Sequence, residues 1–252
     1  MRSRPAPDRK TILITGASSG LGEGMARAYA ARGKSLALCA RRLDRLQALA
    51  DELEPTAATV AVAPLDVTDT DAVAAVFADL DAQLGGLDRV IVNAGLGKGA
   101  PLGTGKPHAN LATATTNFIG ALAQAEAALA LFRERGAGHL VLVSSMSAVH
   151  GLPKAQAAYS ASKAGVSALG QGLAVEFARS PITISVVLPG YIATDINAGV
   201  TTTMMTDYDT GVAAMVEAID SERERVVVPT WPWAVVDKAL RFLPEPVVRR
   251  LI

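Results

Sequence analysis

Seven short apolar runs separated by stretches of helical spacing recur along the chain, and this alternation constrains the fold more than any other feature. The runs lie at 10–15, 35–40, 58–65, 87–93, 138–144, 182–188 and 225–228. Helix-like segments follow Gly22 as far as Gly33 and occupy about 42–54, 69–84, 109–134, 157–179 and 209–220. Strand and helix in strict alternation imply a parallel sheet with helices on both faces, because parallel strands need a crossover between them. Runs such as "VIVN" and "HLVLVSS" are apolar throughout, as strands buried on both sides must be. The expected fold class is therefore α/β, a single-domain doubly wound parallel sheet of about seven strands.

A chain of 252 residues, 50% hydrophobic and 19% charged, can bury a full core as one domain over 1–252, with 1–9 as a flexible N-terminus. Twenty-four basic residues balance 24 acidic ones, which removes any global electrostatic case for nucleic acid. The lone Cys39, in "SLALCA", reads as a buried thiol and permits no internal disulfide, which fits a reducing cytoplasm. The basic N-terminus has no apolar core behind it, so no signal peptide is expected, and no apolar run reaches spanning length. His108, His139 and His150 lack ligand spacing, so no metal site is expected.

In doubly wound sheets ligands sit beyond the carboxyl ends of the strands, so the segments after each run should carry the chemistry. After the first comes "TGASSGLG", with Gly16, Gly20 and Gly22 opening an alanine-rich helix. Such a turn lets backbone and helix N–H groups approach a pyrophosphate; alone it would serve equally as an ordinary helix start capped by Ser18 or Ser19. The later strand ends carry Ala40, Arg41 and Arg42; Asp66 and Val67; Asn93, Ala94 and Gly95; "SSMSAV" from Ser144; and "PGYIATD" from Pro189. The helix at 157–179 opens with "AYSASKAG", which puts Tyr159 and Lys163 one turn apart on the same face. A phenol beside an ammonium is expected to ionise more readily and to exchange a proton with an alcohol or carbonyl.

Taken in order, "TGASSGLG", "NAG", Asn117, "SS" and "YSASK" resemble the classical short-chain dehydrogenase/reductase family, from about Lys10 to Thr194. The resemblance implies a seven-stranded Rossmann-like sheet. It implies Tyr159 as general acid/base, Lys163 lowering the tyrosine pKa and holding the nicotinamide ribose, Ser145 polarising the carbonyl, and Asn117 holding a relay water. By the same resemblance the dinucleotide would touch Gly16, Ser18, Ser19, Gly20, Leu21 and Gly22 in the turn, Asp66 and Val67 at the adenine, and Asn93–Gly95 under the adenosine ribose. Pro189, Gly190, Ile192 and Thr194 would surround the carboxamide, while the step from Ser145 to Tyr159 is about one residue longer than the family pattern.

The function expected is an NADP(H)-dependent carbonyl reductase or alcohol dehydrogenase. Where an NAD enzyme has an acidic residue, this chain has Ala40 and then Arg41 and Arg42, which suit a 2′-phosphate. Other readings are a 3-oxoacyl-thioester reductase using Lys98, Lys106 and Lys154, and a silent NADP(H)-binding sensor; an epimerase fits poorly without a substrate domain after 195. The stretch 191–216 is expected as a substrate lid, supplying Tyr191, Ile196, Val200, Met204, Met205 and Tyr208 and no basic residue, which favours an apolar small-molecule substrate. The apolar segment 229–252 carries Trp233, Val236, Leu240 and Leu243 at helical steps before Pro244 and Pro246. It is expected first as a contact in a homodimer or homotetramer, next as self-packing, and last as a peripheral membrane contact through 232–252.

Overall fold

The computed structural model of the protein describes residues 7–97, 99–243 and 246–247. Lys98, Pro244, the first six residues of the N-terminal stretch and the final residues from Val248 onward lie outside the described residues. The strands follow the apolar runs: β1 (Thr11–Thr15), β2 (Ser35–Ala40), β3 (Val60–Pro64), β4 (Arg89–Val92), β5 (Gly138–Val143), β6 (Ile182–Pro189) and β7 (Arg225–Val228). They form one seven-stranded sheet in the order β3-β2-β1-β4-β5-β6-β7, parallel at every pairing. Every residue of β1, β4 and β5 is buried, as runs without polar alternation require.

Strand alternation sends successive side chains to opposite layers. Ile12 and Ile14 join Met25 and Tyr29 of α1 (Gly20–Ala30), Leu46 and Leu49 of α2 (Leu43–Leu53), and Met215 and Ile219 of α7 (Tyr208–Asp220). Leu13 points the other way, toward Val73 and Phe77 of α3 (Thr70–Gln83), Ala125 and Phe132 of α5 (Gly120–Arg135), and Val166 and Phe177 of α6 (Ala157–Phe177). The helix expected over 109–134 is three pieces: α4 (Pro107–Ala114), a π-helical turn over Thr115–Ile119, and α5. Wide turns of this kind are costly and concentrate at functional positions, and this one contains Asn117.

At the amino-terminal edge the buried His139 accepts from Arg89 Nε at Nδ1 (2.9 Å), and its Nε2 lies 2.9 Å from Ser185 Oγ. Burial and the Arg89 guanidinium hold its pKa well below the usual histidine range, so it is a neutral bridge in the core. Cys39 is buried too, and burial alone pushes its thiol up to about 12, which makes it inert. Beyond β7 the C-terminal segment forms α8 (Thr230–Phe242), which packs Trp233 and Asp237 onto its own chain and leaves Trp231, Val235 and Phe242 exposed. One helical face, through Trp233 and Asp237, packs on its own chain, as the second expectation for this segment had it. Among the described residues no helix is long and apolar enough to cross a membrane.

Candidate active site

The sheet changes winding direction between β1 and β4, and the segments leaving their carboxyl ends are sewn together there. Thr15 Oγ1 accepts from the amides of Asn93 (3.0 Å) and Ala94 (3.1 Å), while Asn93 Nδ2 donates to Thr15 O (2.9 Å). Gly16 and Gly20 hold φ of 66° and 57°, the left-handed region that the turn needs and most side chains resist. Gly22 serves closeness: a Cβ there would lie 2.4 Å from Gly16 O and 2.7 Å from Asn93 Nδ2. Ser19 stands at the N-cap of α1 but makes no capping bond. Instead Arg42 donates to the hydroxyls of Ser19 (2.7 Å) and Ser18 (3.0 Å), so the helix N-terminus has no side-chain cap beside a guanidinium and two hydroxyls. That donor set suits phosphate oxygens.

A cavity of about 650 Å³ runs from this turn across the sheet edge. Gly16, Ser18, Ser19, Gly20, Leu21, Arg41, Arg42, Asp66, Val67, Asn93, Ala94, Gly95, Pro189, Gly190, Ile192 and Thr194 all line it, as do Ser145, Tyr159 and Lys163. Gly22 and Asn117 stand behind the wall rather than in it. Asp66 Oδ1 accepts from the amide (3.0 Å) and hydroxyl (2.8 Å) of Thr68, and these bonds lower its pKa. The cap of α3 is Asp69, not Asp66.

The reactive groups stand on α6 and at the end of β5. Tyr159 and Lys163 face the cavity one helical turn apart. Lys163 is buried; its Nζ donates to Val143 O (2.9 Å), and desolvation lowers its pKa to about 8. Ser144 is committed to α6, donating to Lys163 O (2.8 Å) with Ser167 Oγ also at 2.8 Å. Ser145 Oγ accepts from Ser147 N (3.2 Å) and lies near the Tyr159 phenol. Asn117 clamps the loop after β4, with Oδ1 accepting from Leu96 N (2.7 Å) and Nδ2 donating to Leu96 O (3.0 Å).

One expectation is corrected. Burial pushes the Tyr159 pKa above the usual tyrosine range; the Ser145 hydroxyl offsets part of this and Tyr191 adds to it. Burial is the largest influence on the phenol, while the Lys163 ammonium one turn away is itself desolvated and donates to the Val143 carbonyl. Tyr159 is thus a protonated phenol at neutral pH.

On the other side of the cavity the stretch 191–216 contributes Tyr191, Ile196, Val200 and Met204. Met205 and Tyr208 do not line it; Tyr208 donates its hydroxyl to Gly20 O (2.9 Å), tying the start of α7 to the glycine turn. The sequence reading missed Leu96, Leu152, Gln156 and Asn197 and the destination of Trp233, Val236, Ala239 and Leu240. The stripe on α8 was visible, but nothing local says that it would pack against β7 and the Gly190 loop. Lys106 and Lys154 are exposed and apart from the wall, and His150 does not reach it.

A family model described as short chain dehydrogenase matches residues 10–205. An uncharacterized oxidoreductase of Mycobacterium tuberculosis is 54% identical over 245 residues, covering 96% of this chain and 97% of its own. Among solved structures, an alcohol dehydrogenase from the archaeon Thermococcus sibiricus, complexed with 5-hydroxy-NADP, superposes with a TM-score of 0.76 at 25% identity, covering 87% of this chain and 95% of that one. Levodione reductase superposes with a TM-score of 0.79 at 26% identity over 89% and 98% of the respective chains.

Proposed function

The chain belongs to the short-chain dehydrogenase family of oxidoreductases, and from that premise we propose an NADP(H)-dependent enzyme acting between a carbonyl and an alcohol on an apolar small molecule. The observation that carries this reading is one cavity holding Tyr159, Ser145 and Lys163 at one end and the uncapped glycine turn with Arg42, Ser18 and Ser19 at the other. The turn and the first amides of α1 would hold the pyrophosphate, and Arg41 and Arg42 with the two serines would hold a 2′-phosphate. Asp66 and Val67 would flank the adenine, Asn93–Gly95 the adjoining ribose, Tyr159 and Lys163 the second ribose, and Pro189, Gly190, Ile192 and Thr194 the carboxamide. When bound, the nicotinamide supplies the hydride chemistry.

The chain's own residues handle the proton. Ser145 donates a hydrogen bond to the substrate oxygen, and the Tyr159 O–H, kept protonated by burial, delivers its proton to that oxygen during reduction. Lys163, one turn further along α6 with its Nζ on the Val143 carbonyl, stays a buried cation below about pH 8 and would hold the second ribose beside the phenol. Asn117 fixes the Leu96 loop and so the floor beneath these groups. The chain 1–252 acts as one unit, with 191–216 as the lid.

Cofactor choice tests the reading. The kcat/KM of the wild type should favour NADPH over NADH by about 100-fold, and Ala40→Asp with Arg41→Ala should reverse the order, since it removes a phosphate partner and adds a 2′-hydroxyl acceptor. A wild-type preference for NADH would overturn the assignment.

A further inference from the structure

Helix α8 lies wholly beyond the residues that the family model matches, yet it closes the cavity. It is held at two points. The Trp233 indole lies over Gly190 so closely that a Cβ on that glycine would fall 2.0 Å from Cε2 and 2.2 Å from Nε1. The ring meets Tyr191 edge-on, with centroids 5.5 Å apart. One turn later Asp237 receives two hydrogen bonds from Arg225 of β7 (2.9 and 2.7 Å) and a third from Arg241 (3.1 Å). On the same helix Val236, Ala239 and Leu240, at three- and four-residue steps, are half-buried and line the cavity, while Val235 turns outward. The indole N–H is buried without an acceptor, so hydrogen bonding does not explain the tryptophan; its shape against a residue without a side chain does. Apart from Arg41, Arg42 and Lys163, the described cavity wall carries no basic side chain, and an anionic substrate tail entering there would lose its hydration unpaired.

Resting on the oxidoreductase reading above, we propose that α8 is the specificity wall of this site. Val236, Ala239 and Leu240 select a neutral apolar group on the substrate beyond its reacting carbon, and Trp233 is the positioning residue that locks this wall to the Gly190 loop.

The test uses the full chain and a graded series of neutral ketones from acetone to 2-decanone. Ala239→Leu should cut kcat/KM for the longest ketones by about tenfold or more relative to acetone, the scale expected when a methylene or two is refused by an apolar pocket. Leu240→Ala should move the optimum toward longer ketones, and Val235→Ala on the outer face should leave the profile unchanged. Trp233→Ala should raise KM for ketones about tenfold with kcat and the KM for NADPH nearly constant, and Trp233→Phe should restore most of the loss. A second readout needs no turnover: in Trp231→Phe, which leaves Trp233 as the sole indole, the longer ketones should shift Trp233 emission saturably in the presence of NADP+. A common length profile for all variants, or emission that no ketone moves, overturns the wall. If the wild type turns over no ketone while Trp233 still responds saturably, the wall stands and the catalytic reading falls.

Discussion

At the glycine turn after β1 the cavity wall is shaped by close backbone approaches, whereas beyond β6 it is walled by side chains brought from far apart in the chain. In the first region Gly16, Gly22, Asn93 and Thr15 meet at distances that leave no space for a Cβ, and the hydrogen bonds run to main-chain atoms. In the second, Trp233 rests on Gly190, Asp237 is held by Arg225, and the stretch after Gly190 supplies Ile196, Val200 and Met204. A backbone wall has almost no tolerance to substitution and offers any ligand the same N–H groups. A side-chain wall can be recut one residue at a time, and its shape is what discriminates among apolar ligands. The two regions should therefore fail differently when altered.

The sharpest way to break the first region is Gly22→Ala. The new methyl would sit 2.4 Å from a backbone oxygen, and overpacking of this kind costs about 3 kcal/mol at the upper end of its usual range. Thermal unfolding should show that loss, and the dissociation constant for NADPH should rise by more than tenfold, the two effects appearing together.

At the seam between the regions, Lys163→Met should stabilise the protein by about 3 kcal/mol at pH 7, because it removes a buried charge whose pKa falls from 10.5 to about 8 on burial. The sign follows from linkage. Below pH 8 the lysine is charged in both states and the folded state carries the desolvation cost; between 8 and 10.5 the folded state sheds its proton first and wild-type stability recovers. The gap in Tm between variant and wild type should shrink as pH rises from 8 to 10, while turnover is lost throughout. A constant gap would remove the buried charge from the account.

Arg225→Ala probes the second region with a smaller effect. Its partner Asp237 keeps Arg241, so the loss should be about 1 kcal/mol rather than that of a fully broken buried pair. Ketone KM should rise severalfold and NADPH affinity should stay unchanged. A parallel loss of NADPH affinity would mean that the regions are not independent.

The same difference explains what the sequence made legible. β2 and β7 fall within the bounds that the apolar runs predicted, and the glycine turn announced its own geometry, because such features are set by neighbours in the chain. The π-helical turn at Asn117 was invisible, since a run of weaker helix formers, TTNFI, does not say which kind of turn it will make. Arg42 read as a phosphate partner, and the structure adds that Ser18 and Ser19 hold it in place. The upward direction of the Tyr159 pKa was not legible, because a four-residue spacing to Lys163 gives proximity but not burial, which is the largest influence on the phenol. The apolar face of α8 was equally plain, but the contact that explains it spans more than 40 residues from Gly190, a distance at which no local pattern reports.

The central claim is that Tyr159 delivers the proton while the remainder of the cavity binds. NADPH consumption followed at 340 nm with an apolar ketone, beside NADPH affinity by fluorescence, should be compared for wild type and Tyr159→Phe. Turnover should fall by about 1,000-fold or more, with NADPH affinity within about twofold, since the ring remains and only the exchangeable proton is gone. Near-wild-type turnover in Tyr159→Phe would contradict the account.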